Sequence, residues 1–169
     1  MRTFGRLGAI AVAGLLVLTS GARAQEEQVP LDKIPKAVMD ALLAKFPKAK
    51  IDTCTRGKEG ADIVYDIEFK QEGRKCEADI KENGIYINYE KAIDAKGLPK
   101  AVSEAIQKRY PKSALKEIME ETEVKGKDEG LSAYEVVLET ADKKEVEVRV
   151  SPKGDILEDT GAKKPEERK

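Results

Sequence analysis

Two cysteines, Cys54 and Cys76, carry the sharpest reactive chemistry in this 169-residue chain. They lack the paired CxxC spacing of a structural zinc site. Three states are open to them: a disulfide, two buried thiols, or a redox-active pair. An oxidising compartment permits the bridge, and closing that loop would add about 3 kcal/mol. In a simple meander, however, they fall on the first and third strands of a sheet, roughly 10 Å apart, whereas a bridge needs Cα atoms within about 7 Å.

The chain has no histidine at all, which removes the usual general base at neutral pH and the commonest transition-metal ligand. Serines and threonines occur with neither a histidine partner nor a GxSxG turn, so nucleophilic catalysis has no support. The acidic run Glu117, Glu120, Glu121 and Glu123 lacks the Asp/Asn-Gly loop that wraps oxygens around calcium. It reads as a solvated strand edge, where charge discourages edge-to-edge aggregation. Tyr86 and Tyr89 are of a type that anchors partners, but read better as core or rim packing. No catalytic residue, metal ligand or cofactor site is therefore expected.

The elements that must position these residues are visible as a repeat. Ile34 to Lys48 begins Ile-Pro-Lys-Ala-Val and ends Phe-Pro-Lys, and Leu98 to Lys112 begins Leu-Pro-Lys-Ala-Val and ends Tyr-Pro-Lys. Val38, Ala41, Leu42 and Phe46 fall at helical spacing, as do Val102, Ala105, Ile106 and Tyr110. Pro35 and Pro99 are tolerated in a first helical turn, while Pro47 and Pro111 push the preceding aromatic away from helical ψ. Helices of about twelve residues follow, too short to persist undocked.

Strand-like alternation comes after each helix. In the first unit a weak strand lies around Ile51–Thr55 and a turn at Gly57–Gly60. Ile63, Tyr65, Ile67 and Phe69 then alternate with polar residues, as do Cys76, Ala78 and Ile80. Hairpin turns sit at Gln71–Arg74 and Glu82–Gly84, and Ile85–Tyr89 is a fourth strand. The second unit repeats this with Ile118 and Met119, a charged loop at Lys125–Gly130, then Tyr134, Val136 and Leu138, then Val146, Val148 and Val150, and finally Ile156-Leu157. The expected fold class is α+β: two tandem α-β-β-β-β units, each a short helix packed on a four-stranded antiparallel sheet. Unit 1 spans 34–92 and unit 2 spans 96–159, with Lys91 to Gly97 as linker. Units this small bury little core alone, so they should share an interface or a continuous sheet. Residues 25–33 read as a polar lead-in with Asp32 as a helix cap, and 160–169 as a disordered charged tail.

Residues 1–24 read as a secretory signal peptide: Arg2 and Arg6, an apolar run from Leu7 to Leu18, then Ala22-Arg23-Ala24 before the cut. An uncleaved anchor is the rival reading, although the run is short for a spanning helix. Cleavage would remove Arg2, Arg6 and Arg23 from the 31 basic residues, leaving 28 against 32 acidic ones. That balance opposes nucleic-acid binding. The mature protein is expected to be periplasmic or secreted, with no stable membrane insertion.

The proline-started helix, its Phe/Tyr-Pro end, Tyr134-Glu135-Val136-Val137-Leu138 and Val146 through Ser151-Pro152-Lys153-Gly154-Asp155-Ile156-Leu157 together resemble the PepSY-like, β-lactamase-inhibitor-like family of exported bacterial proteins. The second unit carries the resemblance best. It implies small non-enzymatic domains, some of which hold another protein, hydrolases included, on a concave sheet face. The expected function is thus an exported, non-catalytic protein- or peptide-binding or hydrolase-inhibitor-like module, with an unknown partner. The alternative is a structural or accessory cell-envelope protein without inhibitory action.

Overall fold

The structure is a computed structural model that describes residues 26–161. The expected signal peptide at 1–24 and the tail beyond Gly161 lie outside the described residues. The elements run β1 (Glu27–Gln28), α1 (Lys36–Lys45), β2 (Lys50–Glu59), β3 (Asp62–Gln71), β4 (Arg74–Lys81), β5 (Tyr86–Ala92), α2 (Lys100–Arg109), β6 (Ala114–Lys125), β7 (Asp128–Glu139), β8 (Glu145–Val150) and β9 (Ile156–Asp159). Short 3₁₀ turns at Leu31–Lys33 and Ala95–Gly97 precede the two helices.

Both helices form where the apolar stripe and prolines place them, at ten residues each. Each ends at its aromatic residue: Phe46 and Tyr110 leave helical geometry with ψ of 74°. Pro35 and Pro99 occupy the N-cap positions with no side-chain cap, so Asp32 does not cap α1. Val38 and Leu42 of α1, and Val102 and Ile106 of α2, are buried.

Of the two expected ways to join the units, the continuous sheet is the one found: in place of two four-stranded sheets there is one nine-stranded sheet in chain order, antiparallel throughout. The join is β5 against β6, pairing Asn88 with Glu123 through Ala92 with Met119. Pairing each unit's edge strand removes two open ladders that water would otherwise have to satisfy. Lys91 and Ala92, expected in a linker, belong to this seam.

The lead-in is not featureless either. The Val29 N–H donates to the Cys54 carbonyl and the Ile93 N–H to the Ile118 carbonyl, both at repeat-equivalent places. A 3₁₀ turn follows each. So β1 is a shortened counterpart of β5, and the repeated order starts at the strand before each helix. At the other end, the Thr160 N–H donates to the Glu147 carbonyl, which ties to β8 a residue expected in the disordered tail.

Three strands run further than their sequences suggest. β2 continues through Gly57 and Lys58, and β6 and β7 reach Lys125 and Asp128, leaving a tight turn where a charged loop was expected. Unbroken antiparallel pairing of β2 with β3 and of β6 with β7 overrides the weak strand preference of Gly and Lys.

Register fixes which residues share a face. Cys76 lies opposite Lys91, Lys91 opposite Glu120, and Glu120 opposite Tyr134. Cys76 belongs to the core under α1 and Tyr134 to the core under α2. Both helices therefore pack on the same side of the sheet. Under α1 lie Phe69, Ile67, Ile80 and Ala78; under α2 lie Val136, Leu138, Val148 and Val150.

Two glycines hold the helix starts against the sheet. Gly84, in the β4–β5 turn, has φ +85°, and an added Cβ would come 2.8 Å from the Ala37 carbonyl oxygen. Gly154, in the β8–β9 turn, has φ +91° and would meet the Ala101 carbonyl oxygen at 2.7 Å. Positive φ and close backbone approach both demand glycine here.

Candidate functional site

The face away from the helices holds the candidate site. Register shifts at Ile51/Thr53 and Asp79/Ile80 in the first half recur at Leu115/Glu117 and Arg149/Val150 in the second, with a further one at Glu121/Thr122. Bulges of this kind bend strands and increase twist. The sheet curls so far that Thr55 on β2 and Glu158 on β9 line the same groove, which encloses about 850 Å³ with open solvent included.

The walls are acidic. Nine carboxylates and two cations, Lys58 and Arg149, line the groove, with Val64 and Ile87 as its aliphatic residues. Like charges stand directly opposite one another. Glu68 pairs with Glu77, Glu77 with Glu90, and Glu90 with Glu121, a row across four adjacent strands. In the next row Asp66 faces Asp79, which faces Asn88.

At the seam the row is buried: Glu90 is 2% exposed and Glu121 5%. Arg149 clamps Glu121 with two hydrogen bonds, Nε to Oε2 at 2.6 Å and Nη2 to Oε1 at 2.8 Å. Ser132 Oγ donates to the same carboxylate at 2.9 Å. The Glu121 contact holds the Arg149 guanidinium above its ordinary pKa despite burial. Lys75 reaches Glu77 at 3.2 Å, and Thr53 donates to Glu68 at 3.0 Å. Among the described residues no group of carboxylates or cysteines is placed to hold a metal ion.

Glu121 and its neighbours are the residues that sequence reasoning misplaced. A glutamate-rich stretch suggested a solvated edge, but β6 is paired on both sides, with β5 and β7. The alternation of Glu121 and Glu123 with Glu120 and Thr122 carried the signal that two faces were involved. Tyr86 and Tyr89 lie on the helix side. A shift between Ile80/Tyr86 and Asp79/Asn88 brings both to one face with rings 6.4 Å apart. Tyr86 donates to the Ala41 carbonyl at 3.2 Å and Tyr89 to Glu129 at 3.1 Å. Lys45 sits 4.6 Å from the Tyr89 ring centroid and pairs with Glu129, tying α1 to the β6–β7 hairpin. These tyrosines join the two halves on the face opposite the groove.

Cys54 and Cys76 are unbridged and buried. Cys54 lies opposite Ile67 and Cys76 opposite Phe69, so β3 stands between them, about two strand spacings or 10 Å. The bulge after Ile51 puts Cys54 on the core face, resolving a parity that simple alternation leaves ambiguous. Burial, aided by the Asp66 carboxylate, pushes the Cys54 thiol up to about 12. Burial also raises Cys76. Neither thiol has the lowered pKa of a reactive cysteine. Alkylation of unfolded, unreduced protein is expected to titrate two thiols, and native protein at neutral pH none. Absence of titratable thiols in the unfolded chain would establish a bridge.

Comparison with known proteins follows the same architecture. The chain matches the family described as "Putative beta-lactamase-inhibitor-like, PepSY-like" over residues 21–87 and again over 63–158. Among curated proteins none matches by sequence. Among solved structures, a BLIP-like protein of Bacteroides fragilis shares 20% identity at a TM-score of 0.53, covering 80% of this chain and 92% of that one. A DUF2874 family protein of Bacteroides uniformis shares 16% identity at a TM-score of 0.57, covering 74% and 87%. A protein of Bacteroides eggerthii named as periplasmic shares 14% identity at the same TM-score of 0.57, covering 74% and 86%. With a helix and an antiparallel meander written twice and family matches spanning both copies, the chain belongs to the PepSY-like, beta-lactamase-inhibitor-like family.

Proposed function

We propose that this chain is an exported, non-catalytic binding protein that takes a protein or peptide partner on the concave face of its sheet. The observation that carries this reading is the groove itself, a curled face walled from β2 to β9. The helices cover only the opposite side, so this face is presented rather than packed. The absence of histidine from the whole sequence weakens any acid–base alternative. Export is supported by the residues 1–24 pattern and by the periplasmic naming of the Bacteroides eggerthii relative. The family description favours inhibition of a secreted hydrolase as the finer form of the activity.

Immobilised protein and an Arg149→Met variant, which removes the groove's clamp on Glu121, test the reading together. A partner retained from envelope extract by the first and lost by the second is the expected result. Equal retention by both, or by neither, overturns it. Assays of β-lactamases and peptidases with purified protein decide whether binding inhibits.

A further inference from the structure

We infer that β9 is a latched strap: it undocks from β8 as a unit while the rest of the sheet stays paired, and the Asp159 carboxylate is the latch that holds it to α2. Comparing the two halves points to it. Register places Tyr89 opposite Ala78 on β4 and Asp159 opposite Val148 on β8, so Asp159 stands where the first half has Tyr89. In the first half that residue packs on the ring that ends the helix, Tyr89 lying edge-on to Phe46 at 5.6 Å. In the second half Tyr110 ends the helix, and its hydroxyl donates to Asp159 Oδ1. Arg109 Nε donates to Asp159 Oδ2 at 2.7 Å, and the Gly161 N–H to Oδ1 at 2.9 Å. An apolar contact has become a charge-assisted one, around a side chain that is 8% exposed. Hydrogen bonds to a charged group are strong while made, and these three share one carboxylate, so they fail together when it moves.

The rest of the hold on β9 is modest. The strand has four residues against seven in β5, and it ends the sheet, whereas β5 is paired with both β4 and β6. Its apolar residues, Ile156 and Leu157, are exposed, so undocking forfeits little burial. Segments of this kind open locally at a fraction of the cost of unfolding. The hinge is already formed. Ser151 Oγ accepts from the Lys153 and Asp155 N–H groups at 3.3 and 3.0 Å, and Gly154 rests against Ala101 of α2. Movement therefore starts at Ile156, past a turn that stays in place. Undocking leaves the β8 ladder without a neighbour and takes Glu158 out of the groove wall. A gating role for that wall rests on the binding function proposed above; the strap itself does not.

Hydrogen exchange of the full chain, read amide by amide by NMR, tests the inference. The Thr160 amide, which donates to the Glu147 carbonyl, should exchange roughly tenfold faster than that of Glu90, its counterpart on β5. In Asp159→Asn the β9 amides should quicken about tenfold more, while those of Val136 and Leu138 on β7 hold their rates. A second variant reaches the same latch without altering the carboxylate. In Gly161→Ala the added methyl would collide with the Tyr110 hydroxyl and come 2.7 Å from Val146 Cγ1, and the same β9-restricted quickening should follow. Quickening shared equally by β7 and β9 would make Asp159 a general stabiliser and overturns the strap. Unchanged β9 exchange in either variant also overturns it. Neither result bears on whether the groove takes a partner, which the capture experiment reads separately.

Discussion

Replacing Arg149 with Met is expected to lower stability by about 3 kcal/mol, a fall of about 10 °C in melting temperature for a chain this size. Glu121 is 5% exposed, and Arg149 supplies two of its hydrogen bonds. Ser132 alone would remain to face a buried charge that also stands opposite Glu90. Removing one member of such a pair leaves a desolvated ion, whereas removing both does not. The double variant Arg149→Met/Glu121→Leu should therefore recover most of the loss, giving a large coupling energy in a mutant cycle. Additive single effects would mean that the clamp contributes little. Arg149 also touches Glu158 at 3.7 Å, so its loss should loosen β9. Faster amide exchange at Glu158 and Asp159 than at Val136 would show this.

Phe69→Ala is expected to cost about 4 kcal/mol. Phe69 is fully buried at the heart of the first core, with its ring centroid 4.9 Å from that of Phe46. Phe46 in turn meets Tyr89 edge-on at 5.6 Å, and Tyr89 reaches Glu129 in the second half. The cavity would thus sit beneath the contact that fixes α1 to the neighbouring hairpin. Urea unfolding should remain one transition, with protection of β7 and β8 amides falling together with that of β3 and β4. Separate melting of the halves would show that the β5–β6 seam does not couple them.

The helices were legible because short-range chemistry specifies them. Pro35 and Pro99 start them, Phe46-Pro47 and Tyr110-Pro111 stop them, and Val38 with Leu42 or Val102 with Ile106 gives the stripe. The middle strands were legible for the same reason, since period-two alternation at Tyr65–Phe69 and Val146–Val150 survives into the structure. What escaped depended on partners distant in sequence. Pairing of Glu90 with Glu121 makes one sheet out of two halves, and nothing near either residue announces it. The extra residue at Asp52 shifts the face of Cys54, which strict alternation cannot register. The concave acidic row was hidden because a glutamate on a strand looks alike at an edge and on a central floor. Only the neighbours on both sides of β6 distinguish the two.

Joining β5 to β6 relates the halves by a step along the sheet rather than by a closed twofold, and a step of that kind has no natural end. The far side of β9 presents what β5 presents, and β2 presents what β6 accepts. Two small features interrupt the series: the two-residue β1 fills the place on β2 that a further β5 would take, and β9 stops after four residues. A chain stripped of residues 26–29 would expose an acceptor ladder to any neighbour's last strand, and copies could add head to tail into a filament. The stub ahead of the first helix thus occupies part of the edge that a repeating design would otherwise leave open.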